Sequence, residues 1–99
     1  MNADKLKKRS ICDMQTILKL PQGRRVLWQL LQATQVRQHG FVPADGLATA
    51  FHCGQRSIGL FLLDEIEQAM PGAYQQMRTE YMAQTISLQE QLQQEEEHE

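Results

Sequence analysis

Phe51-His52-Cys53-Gly54-Gln55-Arg56-Ser57-Ile58-Gly59-Leu60-Phe61-Leu62-Leu63 is the stretch that decides how the chain folds. Its apolar residues fall into two neighbouring stripes at helical spacing. Phe51, Gly54, Ile58, Phe61 or Leu62, and Ile66 make one stripe, and Leu60, Leu63 and Met70 make the second. A helix apolar over so wide an arc is expected at the centre of a bundle, touched by several others. The spacing predicts this third helix over about residues 47–69, with Asp45 placed to cap it. Gly54 and Gly59 each cost about 1 kcal/mol of helix propensity relative to Ala. The expected compensation is close approach of another backbone.

Working outward, Pro21-Gln22-Gly23-Arg24-Arg25-Val26-Leu27-Trp28-Gln29-Leu30-Leu31 starts a second helix. Pro21 stops the helix before it and is suited to the first turn of the next, where its missing N–H is not needed. This helix is expected to reach about Gln38, with Val26, Leu27, Leu30, Leu31 and Thr34 on one face. Trp28 projects off that stripe and is expected to pack against a neighbouring helix. Gly40 is placed as a C-cap, and residues 39–46 read as a loop from their Gly, Pro and Asp content.

The first helix covers about residues 4–19. It is basic on one side and apolar on the other through Ile11, Met14 and Leu18, with Ile17 on the flank. Pro71-Gly72 breaks the chain before a last helix from near Ala73, in which Tyr74, Met77, Tyr81, Leu88 and Leu92 keep helical spacing. Residues 84–99 form a Gln/Glu-rich tail, and its end, Glu95 to Glu99, reads as solvated or frayed because like charges repel. The expected fold is all-α: a small bundle of about four helices in one domain spanning 1–99, with a central apolar third helix and an extended C-terminal one.

Composition narrows the function classes. Ninety-nine residues allow one small core. The two cysteines, Cys12 and Cys53, are far apart with no CxxC pair, which points to a reducing compartment. The basic N-terminus has no apolar run behind it, so it does not read as a signal peptide. The longest strongly apolar run, Ile58 to Leu63, has six residues and cannot span a bilayer. Net charge is −2 but unevenly placed, about +6 over residues 1–40 and −8 over residues 41–99. Such a split serves partner electrostatics, attraction between the two halves, or simple solvation, and these readings stay open.

Catalytic and metal chemistry are poorly supported. Cys12, Cys53, His39, His52 and His98 are scattered without a ligand spacing, so no metal or cofactor is expected and each Cys reads as a small buried hydrophobe. Ser57, His52 and Asp45 or Asp64 supply the residue types of a triad without any motif that activates a nucleophile. Asp64 and Glu67 share a helix face as a surface carboxylate pair. The chain is therefore expected not to be an enzyme. Lys5, Lys7, Lys8, Arg9, Lys19, Arg24 and Arg25 form a basic end able to neutralise phosphates. Ala50-x-x-x-Gly54-x-x-x-x-x-Leu60 echoes a helix-turn-helix, but the apolar period runs unbroken through Gly54 and predicts a continuous helix instead.

Taken together, Pro-x-Gly-Arg-Arg-Val-Leu-Trp-x-Leu-Leu at 21–31 and Phe-x-x-Gly-x-Arg-Ser-x-Gly-x-x-Leu-Leu at 51–63 resemble a small protein family of tailed bacteriophages, described from a Bordetella podophage. Gly40-Phe41-Val42-Pro43 and Pro71-Gly72-Ala73-Tyr74 are similar to its pattern too. The likeness covers about Ile17 to Met82. It implies a role in the phage particle or its assembly, located in the host cytoplasm during infection or in the virion, and it brings no catalytic residues. The expected function is that of a non-enzymatic virion-associated or assembly accessory protein acting through protein–protein contacts. The alternative is a small DNA-binding protein using the basic half. The candidate recognition residues are Lys7, Lys8, Arg9, Arg24, Arg25 and Arg56, and the packing residues are Pro21, Gly23, Trp28, Phe51, Gly54 and Gly59. For the arginines of the two motifs, a salt bridge to Asp64, Glu65 or Glu67 is the competing reading. A phage structural or assembly protein is the expected partner, with nucleic acid or a second copy of the chain as further options.

Overall fold

Chain breaks at Pro21 and Pro71-Gly72 separate helices that start where their capping chemistry allows. The computed structural model describes residues 3–34 and 44–97. These form α1 (Ala3–Leu18), α2 (Pro21–Ala33), α3 (Gly46–Ala69) and α4 (Ala73–Glu97), with no strand among the described residues. The all-α class holds, and each helix starts within one residue of its expected position. The Gln38 boundary, the Gly40 cap, most of the 39–46 loop, His39 and His98 lie outside the described residues.

Two of the expected capping devices, Pro21 and Asp45, are visible. Pro21 opens α2 behind an extended Leu20. The Asp45 side chain accepts from the Ala48 N–H at 2.9 Å, as expected of an N-cap. The first turn of α4 is capped from α3, because the Glu67 carboxylate accepts from the N–H groups of Gly72 and Tyr74 at 2.8 and 2.9 Å. Gly72 takes a φ of +86°, a conformation that a side chain resists. At the helix ends, Gln15 Nε2 donates to the Ala69 carbonyl at 3.1 Å and Arg24 Nη1 to the Leu18 carbonyl at 2.7 Å. Carbonyls that no backbone N–H can reach are thereby satisfied.

Leu18, Leu27, Trp28, Leu31, Ile66, Ala69, Ala73 and Met77 make the core. It sits where the α1–α2 and α3–α4 turns come together, and Ile11, Met14, Leu62, Leu63, Met70 and Tyr74 pack around it. Both α2 and α3 touch the other three helices. Away from this end the helices diverge. The radius of gyration is 17.7 Å and the smallest dimension 17 Å, whereas a compact domain of this length has a radius near ~13 Å. The bundle is open and flat.

The spread of the helices corrects several expectations about which face is inward. Phe51, Ile58 and Phe61 are exposed; of the expected stripes, Ile66 is buried and Leu62, Leu63 and Met70 pack beside it, and Gly59 and Ala69 complete the buried face of α3. On α2, Leu27 and Leu31 of the expected face are buried together with Trp28, while Val26 and Leu30 of the same face point largely to solvent. Gly54 has no close neighbour, since nothing lies within 4 Å of where its Cβ would stand. Cys12 and Cys53 are exposed free thiols rather than buried hydrophobes. Glu95 to Glu97 are solvated but still helical. Periodicity states which residues share a face; only packing states which face is covered.

At Gly23 a close approach requires glycine. A Cβ there would collide with the Ile17 carbonyl oxygen and crowd the Ile17 side chain. Backbone cannot yield as a flexible side-chain tip can, so the collision outweighs the propensity gained by adding a methyl. Gly23→Ala is expected to lose about 2 kcal/mol. In thermal unfolding followed by circular dichroism, that would lower the midpoint by roughly 10 °C in a domain of this size.

Candidate functional site

Tyr74 and Tyr81 stand two helical turns apart on α4, about 10.5 Å along its axis. Trp28 of α2 makes ring contacts with both, at centroid distances of 5.5 and 5.4 Å and tilts of 37° and 30°. The separation suits one indole inserted between two phenol rings. Each such pair contributes about 1 kcal/mol beyond the area it buries. Trp28 Nε1 is buried without an acceptor, which costs on the order of 1–3 kcal/mol.

Arg24, one turn before Trp28, ties three elements. Its Nε donates to Glu80 Oε1 of α4 at 2.8 Å while Nη1 holds the Leu18 carbonyl at the end of α1. Both side chains of the ion pair are largely covered, and charge-assisted hydrogen bonds in such a setting are the stronger kind. The planar fork holds Nε and Nη1 in fixed directions, so one guanidinium serves both acceptors with less ordering than a flexible lysine ammonium would need.

Between α2 and α4 this arrangement leaves an open cleft of about 150 Å³. Trp28, Met77 and Tyr81 supply its apolar lining, and Arg24, Arg25, Gln29, Glu80 and Gln84 its polar lining. Substrate and cofactor pockets are typically about 300–1,000 Å³. The volume is closer to that of one or two side chains. Arg25 is exposed, whereas Arg24 has its charge already matched by Glu80.

The sequence candidates divide accordingly. Arg24 and Arg25 come together in the cleft with Trp28. Arg56 is exposed on α3 and Lys7, Lys8 and Arg9 are exposed on α1; none of the four lines the cleft. The competing reading, an arginine bridge to Asp64, Glu65 or Glu67, is not what the described residues show; Arg24 pairs with Glu80. Asp64 accepts from Gln68 Nε2 at 2.7 Å, and Glu67 is occupied in capping α4. Glu80, Gln29 and Gln84 were not singled out by sequence reasoning. The only signal for the aromatic contacts was the seven-residue spacing of Tyr74 and Tyr81. Among the described residues no group of three or more His, Cys, Asp or Glu side chains is placed to hold a metal ion.

In class, then, the chain is a small all-α protein with an aromatic ladder between two helices and an arginine-bearing cleft beside it. A model of Bbp19-like phage proteins matches residues 14–79, about two thirds of the chain, and the protein belongs to that family. Its role is phage-associated. Comparison with curated proteins and with solved structures gave no match. The matched region holds the α2 side of the cleft and Met77, while Glu80, Tyr81 and Gln84 lie beyond it. No helix among the described residues is long and apolar enough to cross a membrane.

The ladder is open to a direct measurement. Trp28→Ala should lose about 3–5 kcal/mol through the cavity it leaves. Trp28→Phe keeps ring contacts and removes the unpaired N–H, so it should lose no more than about 1 kcal/mol. Urea unfolding of both variants would show the contrast. Equal losses would mean that the indole contributes through a hydrogen bond after all.

Proposed function

We propose that the protein is a non-enzymatic bacteriophage accessory protein of the virion or its assembly, acting through protein–protein contacts at the α2–α4 cleft. Family membership supports the phage setting. The observation that carries the contact reading is the cleft itself. Its volume accommodates a side-chain anchor, Trp28 and Tyr81 make most of its apolar lining, and the exposed Arg25 belongs to its polar lining. Aromatic pockets with an adjacent arginine are where binding energy concentrates in protein interfaces. A partner segment with one aromatic or large aliphatic residue next to an acidic one fits this chemistry. The partner is a phage structural or assembly protein, met in the host cytoplasm during infection or retained in the particle.

The DNA reading keeps one specific support, the exposed cluster Lys7, Lys8 and Arg9 on α1. These consecutive positions lie about 100° apart around the helix and do not form a single stripe. That makes the cluster a weaker template for one groove than for diffuse phosphate attraction.

A photo-reactive residue at position 29 on the cleft rim, introduced during infection, tests the proposal. It should cross-link to one phage structural or assembly protein, and Arg25→Glu should reduce the yield at least about tenfold, the loss of one charge-assisted contact. Mass spectrometry of purified particles then separates a virion component from a transient assembly factor. Absence of any phage protein among the cross-links would overturn the reading. Duplex DNA binding with a log–log salt slope near −0.9 per phosphate, abolished by replacing Lys7, Lys8 and Arg9, would put the DNA function in its place.

A further inference from the structure

The exposed side of α3 carries an apolar seam that the cleft does not use. Leu47, Phe51, Gly54, Ile58 and Phe61 follow one another at intervals of four, three, four and three residues. That is the spacing of the a and d positions of a coiled coil, which keeps one face of a helix toward another. The four large side chains are 87%, 64%, 65% and 68% exposed in chain order. Above Gly54 the space is open. Between Leu47 and Phe61 the positions flanking the seam, Ala50 and Ser57 on one side and Ala48 and Gln55 on the other, carry no charge, and Asp64 is the first charged flanking residue beyond them. Glu65 takes the next seam position and ends the apolar run.

We infer that this face is the docking surface for α3 of a second copy of the chain, in a two-fold antiparallel pair crossing at Gly54. The order of residues selects that occupant, because the seam is nearly self-complementary about its midpoint. Leu47 and Phe61 lie seven residues to either side of Gly54, and Phe51 and Ile58 lie three and four. An antiparallel copy therefore sets Leu47 against Phe61, Phe51 against Ile58, and glycine against glycine. The bare glycines allow the backbones to approach closely at the crossing. A two-fold interface uses the same patch on both subunits, and this patch meets that condition. Area is sufficient as well. From their exposure, the four side chains present roughly 500 Å² per copy, so on the order of 1,000 Å² is covered between two, which is where specific interfaces begin. With uncharged flanks, no like charges face each other when the same face meets itself.

Size-exclusion chromatography with light scattering on the full chain tests the inference. The wild type at ~100 µM, which populates any dimer of comparable or tighter dissociation constant, should show twice the chain mass. Phe51→Glu should show the single-chain mass with an unchanged far-ultraviolet dichroism spectrum, since the side chain it replaces is exposed. A pair of double variants fixes the direction. Leu47→Glu with Phe61→Lys brings opposite charges together across an antiparallel seam and should remain dimeric, while Leu47→Glu with Phe61→Glu should be monomeric. In a parallel pair both doubles set like charges together and both would dissociate. A wild type of single-chain mass, a dimer that survives Phe51→Glu, or two doubles that behave alike would each overturn the inference.

Discussion

Arg24 reaches in two directions at once, and the helices are arranged around that reach. One nitrogen holds the last carbonyl of α1 and another holds a carboxylate on α4. The arginine can do this because only two residues separate α1 from α2, and because Gly23 lets α2 lie against the Ile17 carbonyl. A side chain at position 23 would meet the Ile17 carbonyl and force the α1–α2 junction to shift. Trp28, one turn on, is then presented to Tyr74 and Tyr81. The Pro-x-Gly-Arg-Arg-x-x-Trp run is thus a single device: proline sets the start, glycine the closeness, arginine the tie, and tryptophan the depth of insertion.

Much of this was readable from residue order. The helix starts, the Asp45 cap, the Pro71-Gly72 break and the contact role of Trp28 all follow from local rules that act within one or two turns. Facing was not readable in the same way. Phe51, Ile58 and Phe61 have the period of a core stripe, and a helix carrying them in a closed bundle would bury them. Whether the bundle closes depends on where α4 lies relative to α3, which is a long-range fact. Here the core gathers at the two turns, so a stripe that reads as interior lies outside.

The site shows the same division. Arg24 and Arg25 stood out as paired cations near a helix start. Their different fates were hidden, because ten carboxylates lie beyond residue 40 and spacing cannot say which one an arginine meets. Asp64, Glu65 and Glu67 were natural candidates by their density. Glu67 turned out to be committed to the backbone of the α3–α4 turn, and the bridge fell to Glu80, a residue with no motif around it. Aromatic spacing was the better guide, since only a two-turn interval lets one indole sit between two rings.

The far half of α4 has a consequence of its own. Beyond about Gln84 the helix continues to Glu97 with Leu88 and Leu92 exposed and no side chain buried. A segment of that length with no buried side chain is marginal in water, because isolated helices shorter than about 12–15 residues barely hold. Its helix–coil balance is therefore set locally and is uncoupled from the global unfolding of the bundle. Amide hydrogens there should exchange with solvent far faster than those of Leu27 to Leu31 or of Met77, which open only when the core does. One continuous helix thus joins two regions of different thermodynamic character, a rigid part that belongs to the fold and a part that melts without it.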